Sequence, residues 1–274
     1  MKNKIRKIAK NWLPPAITRT IKKLNGQSSF GFFGNFPTWK EAQKNSTGYD
    51  TSTVLEKVRI GATKAKLGEV AFERDSVTFA TPEYSWPLLA SLLWISSQEG
   101  NQLNLMDFGG SLGSSYFQNK KMLAHLSKIQ WSIVEQQNFV RTGKKEFEDN
   151  TLKFFESTEG CFKETSPNTA LFSSVLQYIE KPYEILEKTI ALNFKYIIFD
   201  RISFIPNGPD RITIQKVAPK IYDSSYPAWF FNKEKFIKFL ADKYEYIAEW
   251  DALAGTIQLN DTVANDRGFI FKRK

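Results

Sequence analysis

The sequence is poor in the residues that build disulfide frameworks and metal centres. Among 274 residues there is one cysteine, Cys161, and one histidine, His125. A single cysteine excludes an internal disulfide framework and a cysteine-rich zinc site. A single histidine excludes a multi-histidine metal centre and argues against a Ser-His-Asp triad. We therefore expect no metal, and we interpret His125 as a structural or surface residue.

Long apolar runs and a secretory leader are also missing. No run of about 18 apolar residues occurs, and the first thirty residues lack the apolar core of a signal peptide. These two absences predict a cytoplasmic protein without a transmembrane helix.

Acidic residues are absent from the first forty positions, which hold nine lysines and arginines. The whole chain has 38 basic and 29 acidic residues, so residues 41–274 hold 29 of each and are formally neutral. A protein that binds nucleic acid presents a basic face on its folded body. We therefore expect no nucleic-acid partner.

The basic start, residues 1–26, has an amphipathic pattern. Ile5, Ile8 and Trp12 share one helical face, and lysines surround it. This pattern favours a helical N-terminal extension whose residues 1–25 contact an anionic surface on the inner face of the membrane. The alternative is a pair of helices that dock on the protein body with their charges in solvent.

The stretch from Leu103 to Gln118 contains the strongest functional signal. An apolar run ends at Asp107, and a helical pattern follows the small residues Gly109, Gly110, Ser111 and Gly113. Strand, glycine turn and helix form a unit that binds nucleotide-like cofactors, because glycines permit close backbone approach and the helix N-terminus offers free N–H groups. The spacing Asp-x-Gly-x-Ser-x-Gly differs from the dinucleotide fingerprint Gly-x-Gly-x-x-Gly. The alternative is an ordinary strand-to-helix turn.

A second predicted strand, residues 131–135, ends in the acid Glu135, 28 residues after Asp107. A carboxylate at this position can accept hydrogen bonds from both ribose hydroxyls of a bound nucleoside. The alternative is that Glu135 caps the helix predicted over residues 137–149.

Strands and helices alternate along most of the chain, which predicts parallel pairing with right-handed crossovers. We expect residues 27–100 to form a helical lead-in, with a Gly/aromatic loop, a short helix capped by Thr38, and later helices over 51–70 and from Thr81. Residues 101–274 form the main domain, in which we expect an aromatic loop over residues 221–231. The expected fold is α/β, a Rossmann-like seven-stranded sheet with an antiparallel last strand, plus the helical N-terminal extension.

These motifs resemble those of S-adenosylmethionine-dependent methyltransferases of the Rossmann-like class. Residues 107–113 resemble the first motif of that class, usually Asp/Glu-x-Gly-x-Gly-x-Gly, with Ser111 in place of the middle glycine. Glu135 matches the acidic ribose ligand, and residues 173–186 resemble the fourth-strand segment. The resemblance implies S-adenosyl-L-methionine as cofactor, bound by Asp107, Gly109, Gly110, Ser111, Gly113, Glu135, Ser174 and Gln177.

Several further stretches resemble a family of methyltransferases found among cell-envelope polysaccharide genes. They are GFFGNFPTW (31–39), GYD (48–50), YSWPLL (84–89), DFGGSLG (107–113) and YPAWF (226–230). This resemblance implies a small-molecule or glycan acceptor and O-methylation of a sugar or glycan intermediate in polysaccharide biosynthesis.

A hydroxyl acceptor needs a base to take its proton. The candidates are Asp223, Asp200 and Tyr226, and also Glu83, which precedes the central strand. Asp223 has an equally good interpretation as an Asx-turn residue, and Tyr226 either stacks on a sugar ring or belongs to the core.

Two other functional classes stay open. An NAD(P)-dependent or nucleotide-sugar-binding Rossmann enzyme would carry Gly-x-Gly-x-x-Gly and a Tyr/Lys pair, which the sequence does not show. The second alternative is a non-catalytic binding protein with a degenerate cofactor pocket.

Overall fold

The computed structural model describes residues 30–48, 51–218, 221 and 224–274. Two predictions fall outside these residues: the basic helices within residues 1–26, and Asp223.

The described residues form eight α-helices, one short 3₁₀ helix (Leu176–Tyr178) and twelve strands. The helices are α1 (Trp39–Lys44), α2 (Thr51–Leu67), α3 (Trp86–Gln98), α4 (Ser114–Leu123), α5 (Gln137–Glu146), α6 (Thr158–Thr165), α7 (Pro182–Ala191) and α8 (Lys233–Ala241). The strands are β1 (Gly31–Phe36), β2 (Phe72–Arg74), β3 (Val77–Phe79), β4 (Gln102–Phe108), β5 (Lys128–Val134), β6 (Leu152–Phe155), β7 (Thr169–Ser173), β8 (Tyr196–Ile205), β9 (Arg211–Lys216), β10 (Ser225–Asn232), β11 (Tyr244–Gln258) and β12 (Val263–Arg273).

The main sheet has the predicted order. Strands β6, β5, β4, β7 and β8 pair in parallel, β12 joins β8 in antiparallel orientation, and β11 pairs with β12 at the edge. Seven strands with the last one inserted antiparallel are the arrangement expected from the sequence, so the predicted fold class is confirmed.

Apolar side chains cover both faces of this sheet. On one face the buried residues of α2, α3, α4 and α5 pack against β4 and β5, with Trp131 and Tyr116 in contact at 5.8 Å between ring centroids. On the other face α6, α7 and α8 pack against β7 and β8, and Phe199, Phe204 and Phe236 form a ring cluster. Parallel strands are buried in this way because crossover helices lie on both sides.

Three strands extend the sheet beyond the predicted seven. β1 pairs with β9, and β9 pairs with β10, both in antiparallel orientation. β10 joins the main sheet by pairing in parallel with β8, where Phe231 lies opposite Phe204. Two expectations were therefore wrong: the Gly/aromatic loop contains β1, and most of the aromatic loop over 221–231 is β10. The lead-in over residues 27–100, expected to be helical, also contains the β2–β3 hairpin.

Helix α3 begins later than predicted, at Trp86 rather than after Thr81. A helix starting at Pro82 would place Pro87 inside the helix, where proline removes a hydrogen bond and clashes with the preceding turn. Starting at Trp86 puts Pro87 in the first turn, where its missing N–H costs nothing. The cap of α1 is confirmed, since Thr38 accepts a hydrogen bond from the Glu41 N–H at 3.2 Å.

No helix in the described part of the chain is both long and apolar enough to cross a membrane.

Candidate functional site

A cavity of about 550 Å³ lies where β4, β5, β7 and β8 present their functional residues. Ligands of open α/β sheets bind outside the carboxyl ends of the strands, and this volume is typical of small-molecule sites. Seven of the predicted site residues line the cavity: Asp107, Gly109, Gly110, Ser111, Glu135, Ser174 and Tyr226.

The glycine turn joins β4 to α4 and leaves no room for a Cβ atom at two of its glycines. Gly109 has φ +72°, and a Cβ there would lie 2.4 Å from a Val175 methyl carbon. A Cβ at Gly110 would lie 2.6 Å from the Asp107 carboxyl carbon. Gly113, at φ +101°, precedes the first residue of α4 and does not line the cavity. The turn therefore holds its backbone close to the cavity.

Ser111, which replaces a glycine of the resembling motif, also has a left-handed backbone with φ +57°. Glycine reaches this region without strain and serine reaches it at a cost. Serine therefore keeps the backbone shape that a glycine would have there.

Asp107 is the buried acid of the site. Its side chain is 1% exposed, and its Oδ2 accepts a hydrogen bond from Trp131 Nε1 at 3.0 Å. Its Oδ1 is buried without a protein partner, although the residue lines the cavity. Burial raises the pKa of Asp107 to about 7, against the opposing effects of Trp131 and Arg201. A buried carboxylate oxygen without a donor is costly, and a donor group on a ligand would satisfy it.

Glu135 follows β5 and reaches back to the glycine turn. Its Oε2 accepts from the Gln136 N–H at 2.6 Å, and its carboxylate also accepts from the Ser111 N–H. Burial raises its pKa, and the two backbone donors oppose that shift. The N-cap residue of α5 is Gln136, whose side chain makes no capping hydrogen bond. The interpretation of Glu135 as the helix cap is therefore wrong, and its role as a ribose ligand stays a prediction.

Ser174 and Gln177 follow β7. Ser174 has φ +56° and its N–H donates to the Asp200 carbonyl at 2.9 Å. Gln177 Nε2 donates to the Arg201 carbonyl at 3.0 Å, but Gln177 is not among the residues that line the cavity. Gln177 therefore supports the loop rather than facing the cavity directly.

Asp200 lies in the middle of β8, is 2% exposed and does not line the cavity. Its Oδ1 accepts from Trp250 Nε1 at 3.1 Å and its Oδ2 accepts from the Ser173 hydroxyl at 3.2 Å. Both oxygens thus accept hydrogen bonds from protein donors. Through the second bond Asp200 holds the Ser173 side chain in place. A role as base stays a prediction.

The remaining candidate bases are placed differently. Tyr226 lines the cavity and contacts Tyr178 edge to face at 5.4 Å between ring centroids. Glu83 lies outside the cavity lining, 3.7 Å from Arg74 in an ion pair. Asp223 is outside the described residues.

Four charged residues of the cavity were not predicted from the sequence: Glu73, Arg74, Asp75 and Arg201. Glu73 lies on the β2–β3 hairpin, whose turn residues Asp75 and Ser76 both have positive φ. Two such residues between strands are the mark of a type I′ turn. The pair of turn residues between the short segments FER and VTF could therefore have revealed the hairpin. Arg201 lies inside an apolar strand and carries no local signal.

The end of the cavity away from the glycine turn is aromatic and amidic. Tyr226 on β10 lies directly opposite Gln215 on β9, and Trp39 of α1 also lines this end. The Gln215 Oε1 is buried without a partner. Trp229, in contrast, donates its indole N–H to the Ile179 carbonyl and stacks on Trp39, and does not line the cavity.

No group of three or more histidine, cysteine or acidic side chains suited to a metal ion occurs among the described residues.

Comparison with known proteins finds solved structures of similar fold whose sequence identity to this chain is low. No protein-family model and no curated protein sequence matches the chain. Magnesium protoporphyrin IX methyltransferase (ChlM) from Synechocystis PCC 6803 with bound SAH is similar at 14% identity over 69% of this chain and 82% of that chain, with TM-score 0.42. The N-terminal domain of EvdMO1, in the presence of SAH and D-fucose, is similar at 12% identity over 82% and 98%, with TM-score 0.46. The Burkholderia thailandensis 1,6-didemethyltoxoflavin-N1-methyltransferase is similar at 10% identity over 81% and 89%, with TM-score 0.41.

Similarities this low assign no function, which must come from the cavity itself.

Proposed function

We propose that this protein is an S-adenosylmethionine-dependent methyltransferase, and the surroundings of Asp107 carry the proposal. Asp107 lines the cavity beside a glycine turn that excludes a Cβ at two positions, and its buried Oδ1 has no protein partner. Glu135 stands at the end of the neighbouring strand, within reach of the same turn. These residues fit a nucleoside cofactor with hydrogen-bond donors on its ribose and a positive charge on its other part.

The charges that line the cavity favour a cationic ligand. Among the described lining residues there are four carboxylates and two guanidiniums, and no lysine or histidine. One guanidinium, Arg74, lies over the Phe72 and Phe79 rings and pairs with Glu83. The other, Arg201, pairs with Asp75 and Asp200, so both guanidiniums already neutralise acids of the protein rather than the pyrophosphate of NAD(P) or of a nucleotide sugar. The charge balance therefore supports the sulfonium cofactor over these alternatives.

When bound, S-adenosylmethionine supplies a methyl group on a sulfonium, which transfers by in-line displacement. The chain then has three tasks. Glu135 accepts from the ribose hydroxyls, the glycine turn holds the cofactor close, and the hairpin and α2 shield it from water. Positioning of this kind contributes much of the rate in such a displacement.

The acceptor is a sugar or glycan hydroxyl, bound at the aromatic and amidic end of the cavity. Its proton would pass to a base, and Tyr226 is the candidate base that lines the cavity. Gln215 Oε1 can accept from a sugar hydroxyl, and the neighbouring Tyr226 ring can cover the apolar face of a sugar. The link to cell-envelope polysaccharide rests on the sequence resemblance. Transfer of radiolabelled methyl to a panel of sugars and oligosaccharides tests this point, and label found only in non-sugar acceptors would contradict it.

The basic N-terminal segment is the part of the chain that we propose binds an anionic membrane surface. Nine lysines and arginines without an acid in the first forty residues support attraction to anionic lipid. Co-sedimentation with anionic liposomes, comparing the full chain with a chain lacking residues 1–25, tests this. Equal binding by both chains would reject it.

Calorimetry tests the central function. The full chain should bind S-adenosylmethionine and S-adenosylhomocysteine but not NADH. Failure of both sulfur ligands to bind at about 1 mM, the upper end of usual KM values, would reject the proposal. Binding without methyl transfer to any acceptor class would favour the non-catalytic alternative.

A further inference from the structure

The β2–β3 hairpin contributes a wall of the cavity opposite the sheet. Glu73, Arg74, Asp75 and Ser76 all line the cavity. The two turn residues have left-handed backbones, with φ +52° at Asp75 and +67° at Ser76. This is the backbone of a type I′ hairpin turn. The hairpin is held at the cavity by two contacts, from Ser114 to Glu73 and from Arg201 to Asp75.

Glu73 is the hairpin residue that is fixed most firmly. It is 1% exposed, its Oε1 accepts from the Ser76 N–H at 2.7 Å, and its Oε2 accepts from the Ser114 hydroxyl at 2.5 Å. Gly61 makes room for it, since a Cβ there would lie 2.7 Å from the Glu73 Cγ. Burial raises the pKa of Glu73 to about 7, and Arg201 is among the groups that oppose the shift. Each carboxylate oxygen still has a lone pair for a ligand.

Arg201 is held by longer contacts than Glu73, and its Nε also lies 3.7 Å from Asp200 Oδ2. Its Nε and Nη2 lie 3.4 and 3.3 Å from the Ser173 hydroxyl, and its Nη1 lies 3.4 Å from Asp75 Oδ2. Guanidinium–carboxylate hydrogen bonds are usually shorter, about 2.7–2.9 Å. A φ of +56° in the middle of β8 turns this residue out of the regular strand. The guanidinium can therefore form shorter bonds to a ligand.

The sheet order fixes which end of the cofactor Arg201 faces, and the contact of Arg201 with Asp75 brings the hairpin that carries Glu73 to the same end. Glu135 follows β5, the glycine turn follows β4, and Ser173 and Arg201 lie on β7 and β8 on the other side of β4. With the ribose at Glu135, the amino-acid end of the cofactor extends across β4 toward β7 and β8. That end is a zwitterion, with one ammonium and one carboxylate.

We infer, on the basis of the proposed function, that Glu73 and Arg201 form a clamp for the zwitterionic amino-acid end of the cofactor. The Glu73 carboxylate accepts from the α-ammonium group, and the Arg201 guanidinium donates to the α-carboxylate. Asp75 and Ser173 position the guanidinium. Neither residue belongs to the glycine motif, so the clamp is a second recognition element beside it.

Three ligands separate the two halves of the clamp in calorimetry. S-adenosylhomocysteine has both groups, decarboxylated S-adenosylmethionine keeps only the ammonium, and 5′-methylthioadenosine has neither. The change Glu73→Gln should weaken binding of the first two ligands by about tenfold to a hundredfold and leave methylthioadenosine unchanged. The change Arg201→Gln should weaken only S-adenosylhomocysteine, by a similar factor.

The control variant is Glu245→Gln, the same chemical change at an exposed acid on β11, outside the cavity lining. It should leave all three affinities unchanged. If Arg201→Gln does not fold, Ser173→Ala removes the hydroxyl beside the guanidinium and should weaken S-adenosylhomocysteine alone.

Two outcomes would overturn the clamp while the methyltransferase proposal stands. One is binding of S-adenosylhomocysteine within twofold of the unmodified chain by both the Glu73 and Arg201 variants. The other is an equal loss for methylthioadenosine, which would mean that the variants act on the fold. If the unmodified chain binds none of the three ligands, the proposed function itself fails.

Discussion

Replacement of Asp107 by asparagine should change how the stability of the ligand-free protein depends on pH. Burial raises the pKa of Asp107 from 3.8 to about 7 in the folded state. A shift of about three units corresponds to roughly 4 kcal/mol between the two protonation states, at 1.36 kcal/mol per unit. This is a large share of the 5–15 kcal/mol that is typical of a folded domain.

The sign follows from the proton count. Between about pH 4 and pH 7 the folded protein keeps a proton on Asp107 that the unfolded chain has released, so the free energy of unfolding falls as pH rises. Above pH 7 the carboxylate is charged in both states and the loss is complete. Asparagine cannot ionise, so the variant lacks this part of the pH dependence.

Urea unfolding at several pH values between 4 and 8 measures the effect as a difference of two curves. The variant should gain stability relative to the unmodified protein as pH rises, by an amount on the order of 4 kcal/mol across the range. The free energy of unfolding of the variant should also differ by a constant amount at every pH, because the asparagine amide group replaces the unpartnered Oδ1. A constant difference does not change the slope of the free energy against pH. Glu69→Gln, at an exposed position, is the control and should leave the curve in place. A difference between variant and unmodified protein that stays flat with pH would refute the reasoning.

Three other substitutions test the packing and the site. Gly110→Ala should cost about 1–3 kcal/mol in urea unfolding, because its Cβ would lie 2.6 Å from the Asp107 carboxyl carbon; unchanged stability would contradict the close packing of the turn. Glu135→Gln should weaken S-adenosylhomocysteine binding by about tenfold to a hundredfold in calorimetry, and equal affinity would remove Glu135 from the ribose site. Gly268→Ala should also cost about 1–3 kcal/mol, because its Cβ would lie 2.1 Å from the Trp250 ring, and a tolerated alanine would contradict that contact.

The main sheet could be predicted because its strands are buried on both faces and therefore appear as short apolar runs. β8, for example, contains the run from Tyr196 to Phe199, fully buried in the structure. Helices with a clear apolar face separate these runs, and such alternation permits few topologies.

Two of the added strands, β1 and β10, could not be predicted in the same way. β1 has the sequence GFFGNF, with two glycines that weaken a strand pattern. Its partner β9 lies about 180 residues further along, with Gly31 opposite Lys216. Long-range pairing of this kind leaves no mark in the local sequence.

The residues of the candidate site also divide into those that could be predicted from the sequence and those that could not. Asp107 and Glu135 were predictable because the ends of adjacent parallel strands meet at one edge of the sheet. Glu73 and Arg201 are 128 positions apart and belong to no motif. Packing of the hairpin against α2 and α4 brings them to the same cavity, and sequence spacing carries no information about that packing.

A crystal structure of the full chain with S-adenosylhomocysteine tests the central claim most directly. We expect the ligand in the cavity, with its ribose hydroxyls on Glu135, its backbone contacts at Gly109–Ser111 and its amino-acid end between Glu73 and Arg201. A ligand bound elsewhere, or no ligand at saturating concentration, would contradict the account.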